Sequence, residues 1–285
     1  MNIIVGKNSG FCAGVKHTIT KAKEELSKSK NGIDCLGEII HNEQVVNDLE
    51  ELGLRIINKI EDAKGKVIIR AHGIAKDVYD HSKKHNIELI DLTCPNVIKI
   101  HNQVEKLSKS GYFIFLFGVK KHPETVGTYS FCGKNSYILE GIDDISPALN
   151  SLKGSNLNNV LIISQTTFSL NLFEKMTKMV LDELGNNFNV QVEKSICNAT
   201  HLRQKEAFEI SSKVQLMIII GGKNSSNTKK LYEVSKENCK NVLSIQTKDD
   251  LDINFVKQFE NVGVIAGAST PDYIIQDVIN TLSKL

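Results

Sequence analysis

Three cysteines share one setting. Cys12 lies in Ser-Gly-Phe-Cys-Ala-Gly-Val, Cys94 in Leu-Thr-Cys-Pro-Asn-Val and Cys197 in Ser-Ile-Cys-Asn-Ala-Thr, each between a strand-like run and the start of a helix-like run. Each is followed by a polar constellation at nearly the same distance: His41 comes 29 positions after Cys12, His122 28 after Cys94, and Ser225 28 after Cys197. A second constellation follows in each third, at His72, Thr166 and Ser269, which lie 60, 72 and 72 positions after the respective cysteine. The pattern predicts one α/β module used three times, each supplying a thiolate to a shared centre. Three thiolates leave one coordination position open, which suits a [4Fe–4S] cluster with one iron available to substrate; zinc held by three cysteines and water is the rival metal. Cys35, Cys132 and Cys239 stand outside the repeat and are expected to be packing residues.

The other candidates sit in short polar stretches. His41, His72 and His122 each end a strand-like run, where an imidazole can donate to phosphate oxygens; the remaining five histidines are expected to be ordinary surface or core residues. The Asn224–Thr228 stretch offers hydroxyls, an amide and helix-start N–H groups to an anion. Ser269 and Thr270, before Pro271, offer the same chemistry or plain helix caps. Glu124 is the one carboxylate embedded in such a loop. Enclosed beside an anionic ligand it would have a raised pKa and could act as a general acid, whereas in the open it would merely favour the helix dipole. Thr166 or Thr167 could relay a proton. No Gly-x-x-x-x-Gly-Lys-Ser/Thr loop and no dinucleotide fingerprint occurs, and Gly221-Gly222-Lys223 is a weak phosphate signal, so nucleotide triphosphatase chemistry is disfavoured.

These loops need a frame. Apolar runs at Ile3–Val5, Lys66–Ile69, Tyr112–Phe117, Val160–Ile163, Leu216–Ile220 and Val262–Ala266 alternate with amphipathic stretches at Val15–Lys28, Asn42–Leu52, Val97–Ser108, Leu170–Leu184, Ser226–Cys239 and Asp272–Leu282. The alternation predicts an α/β chain of parallel sheets with helices on their faces, whose functional groups gather at the carboxyl ends of strands. With 285 residues the chain can bury a large core without disulfides, and its net charge of +2 carries no nucleic-acid footprint. No apolar run reaches the roughly 20 residues of a membrane span, and no signal-type leader is evident, so no membrane partner and a cytoplasmic location are expected.

Taken in order, Gly10-Phe11-Cys12-Ala13-Gly14-Val15, Ile40-His41-Asn42, Arg70-Ala71-His72-Gly73, Thr93-Cys94-Pro95, His122-Pro123-Glu124, Ser164-Gln165-Thr166-Thr167, Ile196-Cys197-Asn198-Ala199-Thr200, Lys223-Asn224-Ser225-Ser226-Asn227 and Gly267-Ala268-Ser269 resemble the IspH/LytB family of 4-hydroxy-3-methylbut-2-enyl diphosphate reductases over the whole chain. The resemblance implies a trefoil of three pseudo-repeated α/β modules, each with a small mostly parallel sheet, around a central [4Fe–4S] cluster held by Cys12, Cys94 and Cys197 with one open iron. We place the modules at 14–94, 95–193 and 194–285, with the N-terminal strand, 1–13, joining the third. His41, His72, His122, Ser225, Ser226, Asn227 and Ser269 match the diphosphate-binding residues, Glu124 the proton donor and Thr166 its partner, with Gln165 and Thr167 in the same pocket. The implied reaction is reductive dehydroxylation: the allylic hydroxyl binds the open iron, and two electrons and two protons remove it as water. Isopentenyl and dimethylallyl diphosphate would result, closing the methylerythritol phosphate route to isoprenoids. A ferredoxin or flavodoxin would be the electron donor. The chain departs from the family at Val119-Lys120-Lys121, where small residues are common, and at Asn198 and His201. Two other classes remain in view: a zinc metallohydrolase acting on a phosphorylated substrate, and a non-enzymatic iron–sulfur sensor, which would need neither Glu124 nor the histidines.

Overall fold

A computed structural model describes residues 1–285. Its strands are β1 (Asn2–Val5), β2 (Ile33–Leu36), β3 (Leu54–Ile57), β4 (Val67–Ile69), β5 (Leu89–Asp91), β6 (Tyr112–Phe117), β7 (Ser136–Leu139), β8 (Asn159–Ser164), β9 (Asn189–Val192), β10 (Leu216–Ile220), β11 (Asn241–Ile245) and β12 (Asn261–Ala266). Its helices are α1 (Ala13–Lys28), α2 (Glu43–Glu51), α3 (Lys76–Lys84), α4 (Pro95–Lys109), α5 (Pro123–Phe131), α6 (Ile145–Lys153), α7 (Leu170–Leu184), α8 (Asn198–Ser211), α9 (Ser226–Lys236), α10 (Ile253–Val256) and α11 (Asp272–Leu282). The strands form three four-stranded sheets, ordered β1-β12-β10-β11, β3-β2-β4-β5 and β7-β6-β8-β9. The α/β class with three small parallel sheets is thus as expected.

The chain divides into two compact units. One comprises Met1–Lys28, Ile40–Leu54 and Asn198–Leu285; the other comprises Ser29–Ile39 and Arg55–Cys197. In the first unit β1 pairs in parallel with β12, Asn2 opposite Asn261. Side chains of β10 alternate between two cores, because successive residues of a strand point to opposite faces. Leu216, Ile218 and Ile220 pack with Ile274, Ile275 and Val278 of α11 on one face. Met217 and Ile219 pack with Ala207 and Ile210 of α8 and Leu231 of α9 on the other. Both faces are covered, which is why this run reads as continuously apolar.

The second unit repeats the plan around β6 and β8. Phe113, Phe115 and Phe117 face α6 and α7, meeting Ala148, Leu152, Phe173 and Met176. Ile114 and Leu116 face Ile100 and Val104 of α4, with Cys132 beside them. The sheet containing β2 and β4 packs Leu36, Val67 and Ile69 against Ile74.

Helix ends show what the periodicity missed. α7 and α11 cover the predicted residues, but α4 starts two residues before its predicted Val97 because Cys94 caps it and Pro95 fills its first turn. Pro123 is likewise the first residue of α5, whereas Pro271 is the residue that precedes α11 rather than part of its first turn. The edge strands β5 and β9 are short and have no buried residue, so they carry no apolar run to betray them. No helix is long and apolar enough to cross a membrane.

The aromatic core of the second unit should dominate its stability. Phe117 is fully buried, with the Phe173 ring edge-on at 5.6 Å. Phe117→Ala is expected to cost about 3–5 kcal/mol, read from denaturant unfolding of the cofactor-free protein, whereas Met179→Ala on the surface of α7 should cost under about 1 kcal/mol.

Candidate active site

All six polar constellations follow strands at the sheet edges where the carboxyl ends lie: His41 after β2, Arg70–Gly73 after β4, Lys121–Glu124 after β6, Ser164–Thr167 at the end of β8, Asn224–Asn227 after β10 and Gly267–Pro271 after β12. The three repeated cysteines stand at helix starts. Cys12 directly precedes α1, Cys94 caps α4 and Cys197 directly precedes α8. Each is held by its own amide. The N–H of Cys12 donates to the Ala268 carbonyl at 3.2 Å, that of Cys94 to Ala71 at 3.0 Å and that of Cys197 to Thr166 at 3.0 Å. Donors reach two of the sulfurs: the Val15 N–H lies 3.4 Å from Cys12 Sγ, and Asn96 Nδ2 lies 3.3 Å from Cys197 Sγ.

Cys12, Cys94 and Cys197 are half-buried, while Cys35, Cys132 and Cys239 are fully buried, as packing residues should be. Burial pushes the thiols of Cys35 and Cys132 up to about 12, so neither readily offers a thiolate. In each unit a half-buried sulfur at a helix start has an N–H group aimed at it, which is the kind of donor an iron–sulfur group takes.

In the second unit Glu124 is no solvated glutamate. It lies in the first turn of α5 and is 2% exposed. The Thr166 N–H donates to its Oε1 at 2.6 Å, and Thr166 Oγ1 pairs with its Oε2 at 2.8 Å. Burial drives the carboxyl upward and outweighs these two hydrogen bonds, leaving it at about 7. His122 caps the same helix: its Nδ1 accepts from the Glu124 N–H at 3.2 Å, so a neutral ring carries its proton on Nε2. The His72 ring stands edge-on to His122 with centroids 5.4 Å apart. The unit therefore brings together Cys94, Cys197, His72, His122, Glu124 and Thr166.

Gln165 was legible only as a pocket residue, and its structural part escaped the sequence. Its Oε1 accepts from the Val119 N–H at 3.1 Å and from Thr125 Oγ1 at 3.2 Å, while its Nε2 donates to Thr167 Oγ1 at 2.7 Å. This buried amide stitches the loop that follows β6 to the loop that follows β8, and so sets the Glu124–Thr166 contact. Lys120, one of the unusual lysines, bonds Asp144 through Nζ at 2.5 Å, and its own N–H donates to Glu140 at 3.0 Å. It therefore anchors the loop before His122.

The first unit collects Cys12, His41, Ser225, Ser226, Asn227 and Ser269. Ser225 caps α9, its Oγ accepting from the Thr228 N–H at 3.3 Å. Asn227, in the first turn, is 4% exposed, and neither polar atom of its amide has a partner. A buried amide left so costs about 1–3 kcal/mol until a polar ligand meets it. Ser269 Oγ donates to the His41 carbonyl at 3.2 Å, so the hydroxyl ties two loops of this unit and does not cap α11, whose N-cap is Pro271. Gly222 makes the approach of these loops possible: a Cβ there would sit 2.2 Å from the His41 carbonyl oxygen. A helix N-terminus with buried hydroxyls and an amide is suited to a phosphate group.

Parallel sheets that gather thiols, imidazoles and a buried protonatable carboxyl at their strand ends are the arrangement of an enzyme. The chain belongs to the LytB family, whose model, described as LytB protein, matches residues 3–283. It is 41% identical to the 4-hydroxy-3-methylbut-2-enyl diphosphate reductase of Caldanaerobacter subterraneus subsp. tengcongensis, covering 100% of this chain and 98% of that one. The enzyme of the same name from Aquifex aeolicus is 39% identical, over 100% and 97% of the two chains. Among solved structures, the E-1-hydroxy-2-methyl-but-2-enyl-4-diphosphate reductase from Plasmodium falciparum superposes with a TM-score of 0.90 at 30% identity, covering 99% of this chain and 88% of that one.

The Glu124 carboxyl also makes a prediction about stability. Its folded pKa of about 7 lies above the ordinary 4.5, so its stability contribution is fully present below about 4.5 and is lost as pH rises through 7. Glu124→Gln should therefore gain on the wild type by about 3 kcal/mol between pH 4 and pH 8, measured by urea unfolding of cofactor-free protein. A gap that does not change with pH would mean that Glu124 stays ionised.

Proposed function

We propose that the chain carries out the reductive dehydroxylation of 4-hydroxy-3-methylbut-2-enyl diphosphate to isopentenyl and dimethylallyl diphosphate, with Cys12, Cys94 and Cys197 as the ligands of a [4Fe–4S] cluster. Held by these three cysteines, such a cluster would supply Lewis acidity toward the substrate hydroxyl and a route for the two electrons. The electrons come from a low-potential donor of the ferredoxin or flavodoxin kind. The observation that carries the reading is the buried Glu124–Thr166 pair, a carboxyl at about 7 with a hydroxyl at 2.8 Å.

In this reading Glu124 holds a proton on Oε2 and donates it to Thr166 Oγ1. Thr166 then directs its own hydroxyl proton to the departing oxygen of the substrate, which leaves as water. A carboxyl raised to about 7 can both hold and release a proton near neutral pH, as a general acid must. His41, His72, His122, Ser225, Ser226, Asn227 and Ser269 hold the diphosphate. The Asn227 amide, both of whose polar atoms are buried without partners, supports that assignment. No lysine or arginine is among these groups, so the proposed set places no fixed cation beside Glu124 and its proton is retained. Gln165 and Thr167 complete the pocket on the acid's side.

The test is anaerobic turnover of reconstituted protein with a low-potential artificial donor, products being identified by mass. The two five-carbon diphosphates are the expected result. Hydrolysis products from a colourless, zinc-loaded protein would replace the proposal with metallohydrolase chemistry. Glu124→Gln should keep the brown colour of the wild type and lose at least about 100-fold in kcat, and near-normal turnover would remove Glu124 as the acid. Cys94→Ser should load poorly with iron and sulfide.

A further inference from the structure

Two charged residues of α8 grip the loop that leads to Cys12. Arg203 is 4% exposed. Its Nη2 donates to the Gly10 carbonyl at 2.6 Å and its Nη1 to the Ala199 carbonyl, one turn back on the same helix, at 2.8 Å. Glu206, three residues on, accepts from the Lys7 N–H through Oε1 at 2.6 Å and from the Asn8 N–H and Nδ2 through Oε2 at 2.9 and 3.2 Å. The guanidinium thus takes a carbonyl at the end of the loop and the carboxylate takes amides at its start. Charge-assisted bonds of this kind are the strong ones.

The loop has little else to define its path. Beyond β1 its backbone meets β12 through the Gly6 N–H at the Val264 carbonyl, the Ser9 N–H turns back to the Gly6 carbonyl at 3.2 Å, the Ala266 N–H donates to Ser9 Oγ, and the Cys12 amide donates to Ala268. Gly10, at φ +92°, allows the turn, and a Cβ there would lie 2.8 Å from Asp272 Oδ1. Two residues later comes Cys12. The helix that supplies both clamps begins at the residue bonded to Cys197.

We propose that Arg203 and Glu206 are positioning residues for Cys12: together they hold the Lys7–Gly10 loop so that the Cys12 sulfur is placed for ligation. The proposal rests on the reading of Cys12 as a cluster ligand. Losing a group that orients a ligand typically costs about 10–100-fold in metal affinity, so the effect should appear in cluster retention even without turnover.

The experiment uses anaerobically reconstituted protein challenged with rising EDTA, followed by the visible iron–sulfur absorption and by electron paramagnetic resonance of the reduced sample. Folding of each variant is checked by circular dichroism. Arg203→Met, which keeps the chain length and removes all donors, should lose half its cluster at about tenfold lower EDTA than wild type. Its resonance should also be altered, which a merely structural role would not produce. Arg203→Lys, able to bond the Gly10 carbonyl, should recover part of the difference. Glu206→Gln retains one acceptor and should fall between Met and wild type, and it decides the matter alone if Arg203→Met does not fold. Folded variants that match wild type in retention and resonance, while Cys12→Ser loses its cluster, would overturn the positioning role. A Cys12→Ser variant indistinguishable from wild type would overturn the ligand reading and this inference with it.

Discussion

Three backbone hydrogen bonds, one in the first unit and two in the second, hold the repeated cysteines. The amides of Cys12, Cys94 and Cys197 are pinned to the carbonyls of Ala268, Ala71 and Thr166. Ala268 and Ala71 directly precede Ser269 and His72, and Thr166 is itself the partner of Glu124. Each sulfur is therefore fixed to a loop that also presents a proposed substrate-facing group, and each of those loops follows a central strand of a parallel sheet. A hydrogen bond of this kind contributes only about 1 kcal/mol. Its importance is geometric, because a strand end buried on both faces cannot shift without disturbing a close-packed core.

The second constraint is dryness around Glu124. Burying a carboxyl in the first turn of α5, against the loop that follows β8, costs stability at neutral pH and creates a proton store at the same time. The hydrogen bonds from Thr166 favour the ionised form and so oppose this. They limit the rise to about 7, a value at which the group can both hold and release a proton. Gln165 and Lys120 serve the same end by fixing the loops on either side. Gly222 does the equivalent in the other unit, where only the absence of a side chain lets the His41 loop come close.

Much of this was legible in the chain before folding. Covered central strands such as Tyr112–Phe117 and Leu216–Ile220 announce themselves because both of their faces must be apolar, and α7 and α11 because their buried stripes recur at helical spacing. The cysteine repeat was visible because the same strand-to-helix setting recurs along the chain with polar loops at similar spacing. Edge strands were not, since β5 and β9 bury too little to leave a pattern. Nor were the parts played by Gln165, Asn96, Arg203 and Glu206, whose partners lie 40, 101, 193 and 199 residues away.

The sequence by itself determined the α/β class, the strand-end placement of the polar loops and the candidate residue types, because periodicity and spacing are local properties. Only the tertiary structure decided which cysteines are accessible and which are locked in cores. It also decided that Glu124 is buried rather than solvated, that Ser269 ties a loop instead of capping a helix, and which carbonyl receives each cysteine amide. Burial and hydrogen-bond partnership depend on residues far apart in the chain, so no local pattern encodes them.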